Sequence, residues 1–506
     1  MKSYPLFLLL LLLLASACEE ELSELNVNRI EPTTIDPVYI LNDALVNTTG
    51  VGGTLIYDMG IVQQLISPNS GVLTGANYNQ DNRNVTASLW ENYYRDVIRN
   101  TRDVIARTRD TPDRGNLLQM ARIWQAYAFM VLTDTYGDIP YFEAGRGVAD
   151  QIVRPVYDPQ EDIYADLINE LQEASAALTD GAPAEVGDVL YAGDTEKWRR
   201  LGYSLLLRAG MRLSKVDPAT AEQLARAARQ GGVMQSNEDN AVIRHDANYT
   251  NPLGNILNGS EANNFYLTEY FVDRLQATDD PRLGAIAVRY VGAASGPQQT
   301  ADRATSDPAQ QIGMPLGHDN NTITAVAMER GLESFYAFSQ ADRTRVTKLQ
   351  APTFLVTYAQ TQLLLAEAAV RGWVDGAPTE YVSTGVRAHM EQLADYDPAS
   401  AITEEAIVAY LEGNPFEEEN ALERINTEYW IASFLNGAEA FANFRRSGYP
   451  DLPPNPFPGQ DISGDFIRRL TYPNAEISVN SANVNAAISR QGPDALDTRV
   501  WWDVAE

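Results

Sequence analysis

Residues 117–144, LLQMARIWQAYAFMVLTDTYGDIPYFEA, decide the fold of this chain. The first sixteen are apolar on nearly every side and contain no glycine or proline, so they predict a buried central helix. Gly137 and Pro140 suit a turn that leaves this helix. The carboxylates of Asp134 and Asp138 can accept hydrogen bonds from backbone N–H groups exposed at the turn. The segment therefore predicts a helical core with a sharp exit.

An amphipathic helix should follow this core segment. Asp158-Pro159 provides an N-cap and a proline at the first helical position, and Asp180-Gly181 ends the helix. Its apolar stripe consists of Ile163, Leu167, Leu171, Ala174 and Leu178.

Two helical pairs lie further along the chain, each interrupted by proline or glycine. They cover residues 196–214 with 219–230, and residues 353–371 with 379–394. Helix–turn–helix units of this size build stacked helical repeats, and Trp198, Leu201 and Gly202 match the opening W-x-x-L-G of a tetratricopeptide repeat. Because no strict 34-residue period runs along the chain, the predicted fold is mainly α, with tetratricopeptide-like packing, long irregular loops and minor β structure.

Three segments are rich in glycine, proline and asparagine, a composition that opposes both helix and strand. They are residues 67–84, 245–264 and 291–325. Long loops in a compact domain are usually functional, and the alternative is disorder.

The N-terminus contains the only cysteine of the 506 residues, Cys18, within LLLLLASACEEE at 10–21. A single Lys2, the apolar run from Leu6 to Leu14 and three small residues have the build of an export signal. The run is too short to span a membrane. The arrangement resembles a bacterial lipoprotein signal, in which the cysteine is lipidated; the alternative is an ordinary cleavable signal that leaves a free thiol.

These features predict three parts: a signal peptide at 1–17, a lipidated tether at 18–35 and a single helical binding domain at 36–506. The three glutamates after Cys18 resemble the surface-export signal of Bacteroidetes lipoproteins. The alternative is that they form a solvated acidic linker.

The formal net charge is −30, which excludes a nucleic-acid-binding protein, because phosphate contacts need clustered Lys and Arg. Only four of the 38 basic residues are lysines: Lys2, Lys197, Lys215 and Lys348. An acidic, lysine-poor composition resembles proteins of salt-loving bacteria, since concentrated salt screens repulsion among carboxylates. A GC-rich genome that favours arginine is the alternative explanation.

Five stretches together resemble the SusD-like (RagB-type) outer-membrane lipoproteins of Bacteroidetes. In order, they are LTDTYGDIPYFEA at 132–144, TYAQTQLLLAEAAVRGW at 357–373 with its acidic Glu367, EYWIASFLNGAEAFANFRRSGYPDL at 428–452, IRRLTYPNAEISVNSANVNAAI at 467–488 and VWWD at 500–503. The N-terminal LNVNRIEPTTIDPVYIL at 25–41 is similar to one branch of that family. The resemblance covers nearly the whole mature chain.

The resemblance implies a protein on the outer face of the outer membrane that caps a SusC-like TonB-dependent barrel. Such proteins capture oligosaccharides, or sometimes peptides, for import, and they have no enzymatic activity. It implies outer-membrane lipid bound through Cys18, and no cofactor.

The shared motifs also have structural explanations. Arg445 and Arg446, near Tyr449-Pro450, are expected to pair with buried carboxylates and hold the C-terminal region. The motifs therefore identify the fold without marking a ligand site.

Candidate ligand-binding residues come from loop composition, because sugars need flat aromatic faces together with amides and carboxylates. Ordinary packing is the alternative for each aromatic residue. The candidates are Tyr78, Asn79 and Asn82 on the first loop, and Tyr249, Asn251, Phe265 and Tyr266 on the second.

An enzyme is the rival class. Only His245, His318 and His389 are present and no second cysteine exists, so zinc sites and His-based triads are poorly supplied. A surface glycoside hydrolase needs only two carboxylates, which 68 acidic residues can provide. HDNN at 318–321 and NEDN at 237–240 lack the EF-hand spacing for calcium. A repeat scaffold that binds only proteins is the third alternative.

Overall fold

Helices dominate the part of the chain that the computed structural model describes, which is residues 35–50, 52–69, 81–147, 150–180 and 183–505. Cys18, the predicted signal peptide and all of the predicted tether except residue 35 lie outside these residues. The three-part division of the chain stays a prediction.

The described helices fall into an N-terminal group, which contains the central segment, and a C-terminal group. The first group is α1 (Pro37–Asn47), α2 (Gly52–Ile61), α3 (Arg83–Asn92), α4 (Arg99–Thr108), α5 (Gly115–Tyr136), α6 (Gln160–Ala177), α7 (Thr195–Arg212) and α8 (Pro218–Gly231). The second is α9 (Pro252–Asn258), α10 (Glu269–Ala277), α11 (Arg282–Ile286), α12 (Ile323–Glu329), α13 (Tyr358–Val370), α14 (Pro378–Gln392), α15 (Glu404–Gly413), α16 (Ala421–Ala432), α17 (Gly437–Ser447), α18 (Asn474–Val479) and α19 (Ser481–Gln491). A π-helical turn, Tyr93–Ile98, joins α3 to α4.

The described strands are short and form small antiparallel sheets. They are β1 (Leu65–Ile66), β2 (Ile139–Pro140), β3 (Tyr157–Asp158), β4 (Ala241–Ile243), β5 (Tyr266–Leu267), β6 (Ala287–Tyr290), β7 (Ala304–Thr305), β8 (Gln340–Ala341) and β9 (Thr353–Val356). Pairs form between β1 and β5, β2 and β3, and β4 and β9, and the order β7-β6-β8 makes one three-stranded sheet.

Successive helices pack on one another in chain order from α4 to α8. The second group joins them where α7 contacts α13, which packs against α14 and α16. One cluster of buried apolar side chains extends from Val38 on α1 to Trp502 near the C-terminus. The predicted fold class, a mainly α scaffold with tetratricopeptide-like packing and minor β structure, is confirmed.

Helix α5 occupies the centre of the scaffold, as its apolar pattern predicts. Of its 22 residues, 18 are buried. Gly137 ends the helix with a φ of +81°, a conformation that glycine adopts without steric cost. The chain then enters β2, which pairs with β3.

The two aspartates of the central segment have different partners. Asp138 accepts a backbone hydrogen bond, as predicted, but its donor is Gln160 N at the start of α6, at 3.0 Å, rather than an N–H group of the turn. Asp134 instead accepts hydrogen bonds from side chains, from Trp502 Nε1 at 2.9 Å and from Arg212 Nε at 3.0 Å. The sequence did not indicate this because Trp502 and Arg212 are distant in the chain.

Three local predictions are wrong in detail. Asp158 does not cap α6; its Oδ2 accepts hydrogen bonds from the backbone N–H groups of Tyr141 and Phe142, and α6 begins at Gln160. Residues 353–356 form β9 rather than the start of a helix, because this β-branched and aromatic stretch pairs with β4. The second predicted loop contains α9, whose N-cap is Asn251.

Buried ion pairs hold the C-terminal helices to the scaffold. Arg446 donates two hydrogen bonds to the carboxylate of Glu367, at 2.8 and 2.7 Å, and both side chains are 1% exposed. This confirms the predicted pairing for Arg446. The predicted pairing with a carboxylate is wrong for Arg445. Its side chain donates to the carbonyl oxygens of Phe441 and Arg468 and lies over the Phe441 ring.

Replacing Gly202 by alanine is expected to lower the free energy of unfolding by about 1–3 kcal/mol. Helices α6 and α7 approach closely here, and a Cβ at Gly202 would lie 2.0 Å from Ser175 Oγ. Urea denaturation measures the effect. Gly115→Ala is the matched control, since a Cβ there meets no atom within 4 Å. Equal stability changes in both variants would contradict the close packing of α6 on α7.

Candidate ligand-binding site

The first two predicted loops meet through a short strand ladder. Strand β1, which leads into the first loop, pairs with β5, which follows the second, so that Leu65 lies opposite Leu267 and Ile66 opposite Tyr266. The backbone before β1 is strained, since Gln63 has a φ of +55°. The ladder places the start of one loop beside the end of the other.

Polar side chains connect the two loops beyond the ladder. Asn69 Nδ2 donates a hydrogen bond to Asn264 Oδ1 at 2.6 Å. Asn264 Nδ2 in turn donates to Glu261 Oε2 at 2.6 Å. All three residues are half-buried, so their remaining donors and acceptors lie near solvent.

An aromatic pair lies against the same ladder. The rings of Phe335 and Tyr336 stack with centroids 4.2 Å apart, and Phe335 meets the buried ring of Tyr266 edge-on at 6.1 Å. Gln299 Nε2 donates to the Tyr336 carbonyl at 2.9 Å, which ties the third predicted loop to this pair. Phe335, Tyr336 and Gln299 are half-buried.

We call this surface the loop face, and define it as residues 67–69, 261–264, 299 and 335–336. Half-buried amides, one carboxylate and stacked aromatic rings converge there. Such a set can hydrogen-bond hydroxyl and acetamide groups and can pack against the C–H face of a sugar ring.

The far end of the first loop is anchored to the C-terminal segment. Thr471 Oγ1 donates to Asp81 Oδ1 at 2.6 Å, and Asp81 N donates to Asp461 Oδ2 at 2.9 Å. Arg83 pairs with Asp494 across the same junction. Both ends of the loop are therefore held by the body of the protein.

The predicted residues of the first loop have different outcomes. Tyr78 and Asn79 lie outside the described residues, so their role stays a prediction. Asn82 precedes α3 and is half-buried, and its side chain forms no capping hydrogen bond. Its carboxamide therefore remains a candidate for a ligand contact.

The predicted residues of the second loop are engaged in packing and hydrogen bonding. Tyr266 is 0% exposed and Phe265 4% exposed, so neither ring offers a free face. Buried Asn251 caps α9 and donates to the Ala351 carbonyl. Half-buried Tyr249 stacks on His245 and bonds the Val46 carbonyl. Of these residues, only Tyr266 belongs to the ladder beside the loop face, and Phe265 directly precedes it.

Sequence reasoning missed the residues that form most of the loop face. Asn69 and Asn264 lie inside the predicted loops, but nothing in the local sequence distinguishes them from neighbouring asparagines. The adjacent aromatic residues Phe335 and Tyr336 were the available signal, since flat aromatic faces are what a sugar site needs.

His245 and His389, and the aspartates of the two acidic motifs, take part in the packing and hydrogen bonding of the fold. Burial lowers the pKa of His389 to about 3, against the ordinary value of 6.5, and the neighbouring Arg282 adds to this. Burial also lowers the pKa of His245. Asp319 accepts hydrogen bonds from the backbone of Asn321 and Thr322, and Asp239 pairs with Arg200.

Among the residues with described positions, no three His, Cys, Asp or Glu side chains are grouped closely enough to hold a metal ion. The helices placed by the structure include none with the length and apolar character that crossing a membrane requires.

The sequence profile of a SusD-like family described as "Starch-binding associating with outer membrane" matches residues 28–473. No functionally curated protein matches the chain.

Several solved structures share the fold over nearly the full length of both chains. A chitin-binding protein is 31% identical, with a TM-score of 0.82 over 93% of this chain and 100% of that one. A protein described as Bacteroidetes AC2a SusD-like is 28% identical, with a TM-score of 0.78 over 93% and 100%. A chitin-binding SusD homolog from Flavobacterium johnsoniae is 25% identical, with a TM-score of 0.75 over 92% and 99%.

Proposed function

The chain belongs to the SusD-like family of starch-binding proteins associated with the outer membrane, and on this premise we propose that it binds oligosaccharide at the cell surface and passes it to a SusC-like TonB-dependent barrel. It acts without catalysis, as a binding protein held by lipid on Cys18. Its acidic, lysine-poor composition suits a saline habitat.

The loop face is the proposed ligand site. Its stacked Phe335 and Tyr336 supply an apolar surface, and Asn69, Asn264 and Gln299 supply amide donors and acceptors. Tyr78, Asn79 and Asn82 are proposed to contribute from the adjoining first loop. Neutral amides and aromatic rings suit an uncharged sugar better than a strongly charged one.

Oligosaccharides of β-1,4-linked N-acetylglucosamine are the proposed ligand class. The observation that carries this choice is the 31% identity, over 93% of the chain, to a structure described as chitin-binding. The acetamide group of such a sugar presents a carbonyl and an N–H group, which the carboxamides of Asn69 and Asn264 can complement.

Chitohexaose is expected to bind the full mature chain in isothermal titration calorimetry, and Tyr336→Ala is expected to weaken the affinity about tenfold. The physical reason is the loss of the ring that stacks on Phe335 and on the sugar. Asn264→Ala should have an effect of similar size through the lost amide contacts.

Tyr39→Ala is the matched control, because Tyr39 is an exposed tyrosine on α1, with 60% of its surface accessible. Its affinity should equal that of the unmodified chain. Unchanged affinity in both loop-face variants would reject the loop face as the site. Shortened products after incubation with the protein would reject a purely binding function.

A further inference from the structure

A cleft that shares no residue with the loop face lies between α4, α5 and α6 and the turn after β2. Its volume is about 370 Å³, within the usual range for a small-molecule site. Three other cavities of this protein measure only about 10–20 Å³, room for one water molecule. The cleft is therefore large enough for one or two sugar residues.

The carboxylates of the cleft already have partners. Glu170 accepts two hydrogen bonds from Arg122, at 2.8 and 3.1 Å. Asp166 Oδ2 accepts one from the hydroxyl of Tyr141 at 2.7 Å. Arg122 offsets the charge of Glu170, and the Tyr141 hydroxyl stabilises Asp166 by a hydrogen bond but does not neutralise it.

Two arginines of the cleft have no carboxylate partner within 4.0 Å among the residues that the structure places. Arg102 donates from Nη2 to the Tyr141 carbonyl at 3.0 Å, while its buried Nε has no hydrogen-bond partner there. Arg109 lies exposed beside it in the lining. Because no direct ion pair neutralises these two guanidinium groups, they would stabilise an anionic ligand group in the cleft that they line.

The cleft also contains an exposed aromatic ring. Phe142 is 44% exposed and packs edge-on against Tyr141, with ring centroids 4.9 Å apart and planes at 85°. Gln125 adds an amide to the lining. An apolar ring beside amide and guanidinium donors matches a pyranose that carries an acidic group.

We propose that this cleft is a second carbohydrate site, which binds a sugar residue bearing a carboxylate. Arg102 and Arg109 donate to the carboxylate, and Phe142 packs against the sugar ring. The proposal rests on one part of the proposed function, which is that the protein binds carbohydrate. The cleft and the loop face share no residues, so each can fail without the other.

Calorimetry of the full mature chain with α-1,4-digalacturonate tests the proposal, with α-1,4-galactobiose as the neutral counterpart and acetate as a carboxylate without a sugar ring. At 0.15 M salt the Debye length is about 8 Å, so distant carboxylates of the protein are largely screened. We expect digalacturonate to bind at least tenfold more tightly than either control ligand.

Arg102→Gln and Arg109→Gln should each weaken digalacturonate binding at least fivefold, and Phe142→Ala should weaken it about tenfold. Arg109 and Phe142 are exposed, so their variants test the site even if Arg102→Gln disturbs folding. Arg154→Gln removes the same charge from an exposed position outside the cleft and should bind like the unmodified chain.

Several outcomes would overturn the proposal. Equal binding of digalacturonate and galactobiose would show that the carboxylate is not recognised. If acetate bound as tightly as digalacturonate, the sugar ring would not be recognised. Unchanged affinity in Arg109→Gln and Phe142→Ala would place the ligand elsewhere. None of these results bears on chitohexaose binding at the loop face.

Discussion

Substituting glutamine for Glu367 is expected to lower the free energy of unfolding at pH 7 by about 3–5 kcal/mol. Glu367 is 1% exposed and accepts hydrogen bonds from Arg446, Arg371 and Asn426. The substitution keeps the shape of the side chain but removes its charge. The guanidinium of Arg446, itself 1% exposed, is then left buried without its carboxylate. Urea denaturation at pH 7 measures the loss.

The pH dependence gives this prediction a second readout. Burial opposes the ionisation of Glu367, but Arg446 and Arg371 outweigh it and hold the pKa at about 2, below the usual 4.5. The stability that ionised Glu367 contributes is therefore fully present above about pH 4.5 and is lost as the pH falls towards 2. The difference between Glu367→Gln and the unmodified chain should shrink over that range.

Glu222→Gln is the matched control for the buried pair. Glu222 forms an exposed ion pair with Arg226 at 2.7 Å, one helical turn apart on α8. We expect a change below about 0.5 kcal/mol, because solvent screens exposed pairs. If both glutamates gave equally small changes, the buried pair would not hold the C-terminal helices as described.

Substituting asparagine for Asp58 is expected to act in the opposite direction and to stabilise the protein at neutral pH. Asp58 lies on α2 with 1% exposure, and neither carboxylate oxygen has a hydrogen-bond partner among the residues that the structure describes. Burial raises its pKa from 3.8 to about 8, although the charge of Arg445 opposes this shift. The side chain is therefore protonated in the folded protein at pH 7.

The size of this effect follows from proton linkage. The folded state must keep Asp58 protonated at pH 7 while the unfolded state ionises it, which costs up to about 4 kcal/mol at 1.36 kcal/mol per pKa unit. The cost is absent below about pH 4, grows as the pH rises and levels off above about pH 8. Asparagine cannot ionise, so Asp58→Asn should gain up to this amount at pH 7 and almost nothing at pH 4.

Urea denaturation between pH 4 and pH 8 tests the prediction for Asp58. The exposed Asp110, changed to asparagine in the same way, should alter stability by less than about 0.5 kcal/mol at each pH. Destabilisation by Asp58→Asn at pH 7, or a gain independent of pH, would mean that the folded protein holds Asp58 ionised.

Much of the fold could be predicted from the sequence because its signals are local. The apolar run of α5 contains no helix breaker, so its burial followed from composition alone. Asp217 caps α8 and Pro218 is its first residue, and both of these preferences act within one helical turn. The family was equally accessible, because its motifs keep their order along the chain.

Predictions failed where a distant partner competed with a local preference. Residues 353–356 form a strand because β4 lies beside them, and no local pattern reports that neighbour. Asp158 was free to cap α6, but the backbone of Tyr141 and Phe142 provides its donors instead. In both cases the hydrogen-bonding groups of one segment are satisfied by another that is distant in sequence.

The candidate site depended on tertiary structure more than the fold did. Loop composition located three of the segments that meet at the loop face. Packing then buried the rings of Phe265 and Tyr266 and brought Phe335 and Tyr336 from a fourth segment. Glu367, the partner of Arg446, is 79 residues away, and Asp134, a partner of Arg212, is 78 residues away. By itself, the sequence determined which helices form and to which family they belong, because these depend on periodicity and on the order of motifs. Only the tertiary structure decided which side chains are exposed and which charges are paired, because exposure and pairing depend on contacts between segments far apart in the chain.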